Sequence, residues 1–358
     1  MPSRADIFVE ANRLLQWFET AGAEIVETSI LQPADVFLDL YGEDIRARAY
    51  TTADALRGEQ MLRPDFTVPI ALMHIKNARR RSRYTYSGEV FRRQEHNALR
   101  ENEYLQVGYE VFSVSDEVAS DAEVFALFAQ VLAPFDLKPK TGDMGILTAA
   151  VRSLKTTEQR KSALMRHIWR PKRFREILNR YAGRTPLSDY QAALITRDVA
   201  NLDFPEFGLR RRQEVYDRIE RLRQDNDTVP ISEIEMTVLE RLLEIKATAP
   251  VAIERLLDIA KDLPALSSSI ERLRLRIDTF DTGGIDVETL AFEACYGRAK
   301  MEYYDGFIFE FMSETYDDLP PVATGGRYDA LMRRLGAGSE ISAVGGVIRP
   351  SLILEVSQ

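Results

Sequence analysis

Two β-prone blocks stand at the two ends of this sequence, with a long tract of different character between them. From about Thr156 to Ser269 the segments TEQRKSALMRHIW, FREILNRYAG, GLRRRQEVYDRIERLRQ, SEIEMTVLERLLEI and VAIERLLDIAKDL are polar and rich in Leu, Arg and Glu, as amphipathic helices are. Before them come YTYSGEVFRR and EYLQVGYEVFSV; after them come EACYGRAKMEYYDGFIFEFMS and SAVGGVIRPSLILEV, all aromatic and β-branched. Strands need neighbours, so the simplest fold is one sheet assembled from both ends of the chain. This predicts an α+β architecture with a discontinuous core over 1–145 and 275–358 and an all-helical insert over 146–274.

Within the first block, Ile7, Phe8, Leu14, Leu15 and Phe18 predict an amphipathic helix ending at Gly22, followed by a strand in AEIVETSIL. RARAYTTA and EQMLRPDFTVPIALMHIKN read as strand, turn and helix, with Pro64 at the turn. YTYSGEVFRR and EYLQVGYEVFSV form a hairpin with a long polar loop, and SDEVASDAEVFALFAQVLAPF is a helix. DLKPKTGDMGILTAAV reads as another strand leading into a helix.

Composition excludes several classes of function. The 358 residues are 45% hydrophobic and 29% charged, an ordinary globular balance, and the net charge of −9 opposes a nucleic-acid-coating surface. The single cysteine, Cys295, rules out an internal disulfide and fits a reducing, cytoplasmic setting. His74, His96 and His167 lack metal-ligand spacing, and neither a P-loop nor a Gly-x-Gly-x-x-Gly motif occurs, so no metal and no cofactor are expected. No apolar run is long enough to span a membrane. The basic run ARRRSRY (78–84) reads as a solvated face or a protein contact rather than an RNA site.

Several polar residues fall where a core would not place them. In MLRPDFT (61–67), Asp65 is either a helix-cap residue or the partner of a cationic amine, with Thr67 beside it. Strand alternation puts Phe91 and Arg92 on opposite faces; Arg92 alone reads as a surface arginine, or, if it faces inward, as one that must meet an anion. The same alternation gathers Tyr104, Gln106, Gly108 and Glu110 on one face, a poor apolar surface that is either solvent-exposed or a polar binding floor. Tyr303 and Tyr304 precede Gly306, and Gly325–Gly326 reads as a turn before Arg327 and Tyr328, where a backbone can approach a ligand.

In this order and spacing the chain resembles the class II aminoacyl-tRNA synthetases, histidyl-tRNA synthetase in particular. The family's Phe-Arg-x-Glu, loop, Gln-x-Gly-x-Glu pattern matches Phe91–Arg92–Arg93–Gln94 through Gln106–Val107–Gly108–Tyr109–Glu110. Arg63-Pro64-Asp65-Phe66-Thr67, Glu302-Tyr303-Tyr304 with Gly306 and Phe309-Glu310, and Gly325-Gly326-Arg327-Tyr328-Asp329 match three further signatures. The resemblance spans roughly 1–145 and 275–352 and implies an antiparallel sheet flanked by helices. It also implies a histidine pocket. Asp65 and Thr67 would hold the α-amino group, and Arg92 with Gln106 would face the carboxylate. Glu110 and Tyr304, with neighbouring Tyr303, would read the imidazole, and Tyr328 would close the pocket.

The departures fall on catalysis. Gln94 and Asn102 replace a glutamate and an arginine of the second motif, although Arg100 stays in register; Ala299 replaces a further arginine, with Arg298 one place off. Arg349-Pro350-Ser351-Leu352 stands where the third motif has Gly-Leu-Glu-Arg, so Leu352 replaces the arginine that grips the adenylate. Ser29 replaces the first motif's proline, with Pro33 displaced. Each lost charge-assisted contact of this kind costs about 3–4 kcal/mol in a transition state. With six residues after Leu352, no anticodon-binding domain of the kind histidyl-tRNA synthetases carry is expected.

A histidyl-tRNA synthetase core altered in this way is similar to the regulatory subunits of ATP phosphoribosyltransferase, which act at the first step of histidine biosynthesis. That resemblance implies a non-catalytic subunit of a glycosyltransferase complex. It would bind and activate a short-form catalytic subunit, take histidine as feedback effector, and form a homodimer within a hetero-oligomer, with no tRNA and no membrane partner. The other readings are an active amino-acid-activating enzyme and a scaffold with a vestigial pocket.

Overall fold

The computed structural model describes residues 2–41, 45–77, 79–93, 101–113, 116–196, 211–297, 303–316, 318–336 and 340–357. Gln94, His96, Arg100, Arg298, Ala299 and Glu302 lie outside them. The strands, in chain order, are β1 (Glu24–Ile25), β2 (Leu31–Pro33), β3 (Thr51–Asp54), β4 (Gly58–Leu62), β5 (Ser82–Phe91) and β6 (Glu103–Ser113), then β7 (Leu137–Asp143), β8 (Lys246–Thr248), β9 (Ala291–Glu293), β10 (Phe307–Ser313), β11 (Ala323–Arg327) and β12 (Ser342–Ile348). Nine of them form one sheet in the order β1-β5-β6-β12-β11-β10-β7-β9-β8, and β2-β4-β3 form a small second one.

Strands from both ends of the chain therefore interleave, with β12 and β11 seated between β6 and β10. The run from β5 to β7 is antiparallel throughout. The sheet as a whole is mixed, because β1 joins β5 and β9 joins β7 in parallel. AEIVETSIL contributes only the two-residue β1, and its last residue, Leu31, opens β2 of the small sheet.

Alternation gives the sheet two unlike faces. The back face carries Phe307, Phe309 and Phe311, which pack on Phe125 of the helix Glu117–Leu132. Phe125 stacks in turn on Phe280 of the helix Ser267–Thr282. The first helix, Arg4–Thr20, is capped by Ser3 and buries Ala11, Leu14 and Phe18, with Phe18 stacked on Tyr109. The front face carries Gly108, Glu110, Gly345 and Gly326 in adjacent register on three strands.

Residues 146–274 do not form a purely helical tract, which corrects the expectation of an all-helical insert. Besides helices such as Pro171–Tyr181, Glu233–Leu243 and Ala249–Asp262, they supply β8, which pairs antiparallel with β9. Lys246-Ala247-Thr248 has little strand character of its own; the unpaired backbone edge of β9 supplies the partner. Among the described residues no helix is long and apolar enough to cross a membrane, and no group of His, Cys, Asp or Glu could hold a metal ion.

Candidate ligand-binding site

Glu110 stands at the centre of the front face and is 1% exposed. Its position depends on what its neighbours lack. A Cβ on Gly345, the cross-strand partner of Glu110, would collide with the carboxylate, and a Cβ on Gly108 would collide with the ring of Tyr86. Glycine at these positions opens the space in which the polar side chains lie flat on the sheet.

Hydroxyls converge on the carboxylate. Tyr86 donates to Oε1 at 2.9 Å, Tyr328 donates to Oε2 at 2.7 Å, and Thr67 reaches Oε1 at 3.4 Å. Burial pushes the Glu110 carboxyl up to about 7; the hydroxyls of Tyr328, Tyr86 and Thr67 oppose that rise, and the charge of Asp65 adds to it. Burial, with Glu110 nearby, holds the Tyr86 and Tyr328 phenols well above their ordinary range, so both remain donors.

The other expected residues arrange themselves around this centre. Tyr304 is buried, its phenol accepts from Tyr303 at 3.2 Å, and both rings lie near Tyr328, at centroid distances of 6.5 and 6.2 Å. Tyr303 is pushed up to about 12, by burial first and then by Asp65, with Arg92 opposing, so Asp65 and Arg92 also act at this end of the site. Asp65 accepts from the backbone N–H of Val68 at 3.2 Å and so caps the helix Thr67–Asn77. Its carboxyl is raised by burial, with Arg92 the main opposing charge. Arg92 donates through Nε to the Pro64 carbonyl at 2.6 Å. Gln106 is 2% exposed on the same face, and its buried Oε1 has no hydrogen-bond partner.

Tyr86 was not among the residues the sequence pattern singled out. Its signal lay in the hairpin register, which pairs Tyr86 with Gly108 and so lays the ring where Gly108 leaves room. Gly325–Gly326 is no turn: both residues lie inside β11. The ring of Phe309 covers Gly325 on the back face and the ring of Tyr304 covers Gly326 on the front, so side chains there would clash. The strand then sends Arg327 backward and Tyr328 forward. Arg327 joins Arg276, Asp121 and Asp143 in a buried ion network, with Arg327 Nη2 to Asp121 Oδ1 at 2.6 Å and Arg276 Nε to Asp121 Oδ2 at 2.8 Å.

Two of the residues that depart from the synthetase pattern have clear places. Leu352 is 7% exposed and belongs to the hydrophobic core. Arg349 follows β12 on the front-face register, and its guanidinium lies 4.8 Å from the ring centroid of Tyr104. In the basic run, Arg79 pairs with Glu24 and Arg83 pairs with Glu123, so part of its charge is spent within the fold.

The interleaved sheet and the carboxylate with its tyrosines define a class II synthetase-like core of the histidyl-tRNA synthetase type. The histidyl-tRNA synthetase family model matches residues 3–352. Similar solved structures are an ATP phosphoribosyltransferase regulatory subunit/histidyl-tRNA synthetase from Bacillus halodurans (TM-score 0.68, 20% identity, 99% of this chain and 79% of that one) and a histidyl-tRNA synthetase from Nostoc (TM-score 0.65, 15% identity, 98% and 70%). Among its relatives, an ATP phosphoribosyltransferase regulatory subunit of Agrobacterium fabrum is 31% identical over 360 residues, 94% of this chain and 93% of that one. One from Brucella anthropi is 30% identical over 356 residues, 93% of each. The chain belongs to this histidyl-tRNA synthetase-like family of ATP phosphoribosyltransferase regulatory subunits.

Proposed function

We propose that the chain binds and activates a short-form ATP phosphoribosyltransferase catalytic subunit and carries histidine feedback to it, without catalysing a reaction itself. The observation that carries this reading is the buried Glu110 carboxylate among hydroxyl donors, in a fold where the adenylate-gripping position, Leu352, is packed into the core. A carboxylate is the natural acceptor for an imidazole N–H, and a phenol serves the second ring nitrogen. Histidine would donate to Glu110, with Tyr304 or Tyr303 at the other nitrogen and Tyr328 closing over the ring. Asp65 and Thr67 would take the α-amino group, and Arg92 with the Gln106 amide Nε2–H the carboxylate; the unpartnered Gln106 Oε1 would be a further acceptor for the α-ammonium.

Regulation then requires that histidine bind the inhibited complex more tightly than the active one. A differential affinity of about 100-fold supplies roughly 2.7 kcal/mol, enough to shift such an equilibrium. The protein acts as a homodimer within a hetero-oligomer in the cytoplasm, with the transferase and not tRNA as its macromolecular partner.

One observation favours a second reading, an amino-acid-activating enzyme: Arg349 places a cation on the front-face register beside Tyr104. Calorimetry and ATP–pyrophosphate exchange separate the two. The regulatory reading expects heat on histidine titration and no histidine-dependent exchange. Exchange above background would establish the enzyme, and a chain that releases no heat with histidine would be a scaffold.

A further inference from the structure

The segment after the tyrosine pair grips a helix it does not belong to. Tyr328 occupies the N-cap position of the helix Asp329–Leu335, where a serine or aspartate side chain would ordinarily accept from the first free backbone N–H groups. Its phenol is committed to Glu110 instead, and the helix has no side-chain cap of its own. Asp305 supplies the missing acceptor from a distant part of the chain. Its Oδ2 accepts from the backbone N–H of Ala330 at 2.9 Å and from Arg333 at 3.2 Å, while its own N–H donates to the Arg327 carbonyl at 2.9 Å. One residue thus bolts the turn that carries Tyr303 and Tyr304 to the helix that starts at Tyr328.

We propose that Asp305 is a positioning residue for the amino-acid pocket, setting Tyr303 and Tyr304 against Tyr328 by capping the helix Asp329–Leu335 in trans. This rests on the reading of the pocket as a histidine site. Asp305 touches none of the pocket's polar groups directly, so its effect passes through the tyrosines on either side of it. The grip is also conditional on charge. Oδ1 is buried with no partner, and burial followed by the charge of Asp329 pushes the carboxyl up to about 6, against the Ala330 N–H, Arg333 and Arg327. Asp143, at the strand end beside Gly145 and the Asp305 carbonyl, is engaged by Arg276. Above about pH 6 the ionised carboxylate holds both Ala330 and Arg333; below it the neutral acid holds them more weakly.

The test is histidine affinity by calorimetry for the wild type, Asp305→Ala and Asp305→Asn between pH 5 and 8, with thermal melts of each. Loss of the cap and the charge predicts roughly tenfold weaker binding for Asp305→Ala, with Asp305→Asn intermediate at pH 8. The affinity ratio of wild type to Asp305→Asn should fall toward one at pH 5; the ligand's own titration cancels in that ratio. If Asp305→Ala does not fold, the Asn ratio decides alone. A ratio of one at every pH overturns the proposal while leaving the pocket standing. A wild type that binds no histidine overturns the pocket reading itself, and the proposal with it.

Discussion

Glu110→Ala is expected to weaken histidine binding by at least about 100-fold while the protein still folds. A hydrogen bond to a buried charge contributes roughly 1.5–3 kcal/mol, and an imidazole N–H left without an acceptor adds its desolvation cost. The fold should survive because the substitution removes a buried charge that the apo protein holds at a cost. That cost has a definite pH signature. Burial raises the Glu110 carboxyl to about 7 in the folded chain, against an ordinary value of 4.5. Between those two values the unfolded chain has released its proton and the folded chain has not. The contribution of Glu110 to stability is therefore fully present below about pH 4.5 and lost as pH rises through about 7. Urea melts of wild type and Glu110→Gln should diverge over this window by up to about 3 kcal/mol, the variant gaining relative stability toward alkaline pH. A pH-independent difference would show that the carboxylate is already ionised in the acid range.

Asp121→Ala should destabilise the fold more than either Glu110→Ala or Asp305→Ala. Asp121 is fully buried, and it separates two buried guanidiniums: Arg276 at 2.8 Å on one side and Arg327 at 2.6 Å on the other. Its removal leaves Arg276 to Asp143 and Arg327 to Asp329 and takes away the carboxylate between the two buried guanidiniums, a change that typically costs about 3–5 kcal/mol. Arg276 belongs to the helix Ser267–Thr282, and Arg327 immediately precedes Tyr328, so the same substitution should also weaken histidine binding. Equilibrium denaturation measures the first effect and calorimetry on the surviving folded fraction the second. A loss below about 1 kcal/mol would mean that rearranged side chains or water rescue the network.

The sequence made the hairpin of β5 and β6 legible because alternation and loop polarity are local signals. Glu110 stands out because alternation gathers it with Tyr104, Gln106 and Gly108 on a face too polar for a core, and Tyr328 because Gly325-Gly326-Arg327-Tyr328-Asp329 matches a signature of the resembled family. Tyr86 escaped notice since a tyrosine in an aromatic strand looks like any core residue until the register sets it across from Gly108. Gly325–Gly326 misled for the opposite reason: the pair imitates a turn, and only the rings of Phe309 and Tyr304 explain it. The strand β8 carries no local signal, because its pairing comes from an edge formed some forty residues downstream. Asp305 was invisible as a cap since its helix begins beyond the intervening strands β10 and β11.

Regulation of this kind is exerted on a partner, so the decisive measurement uses one. Purified short-form transferase is supplied with ATP and phosphoribosyl pyrophosphate, and phosphoribosyl-ATP formation is followed with and without this chain while histidine is titrated. The expected result is activation by the wild-type chain that histidine reverses, and activation by Glu110→Ala that histidine leaves largely intact. A transferase rate unchanged by the chain, with no physical association between the two, would contradict the regulatory function.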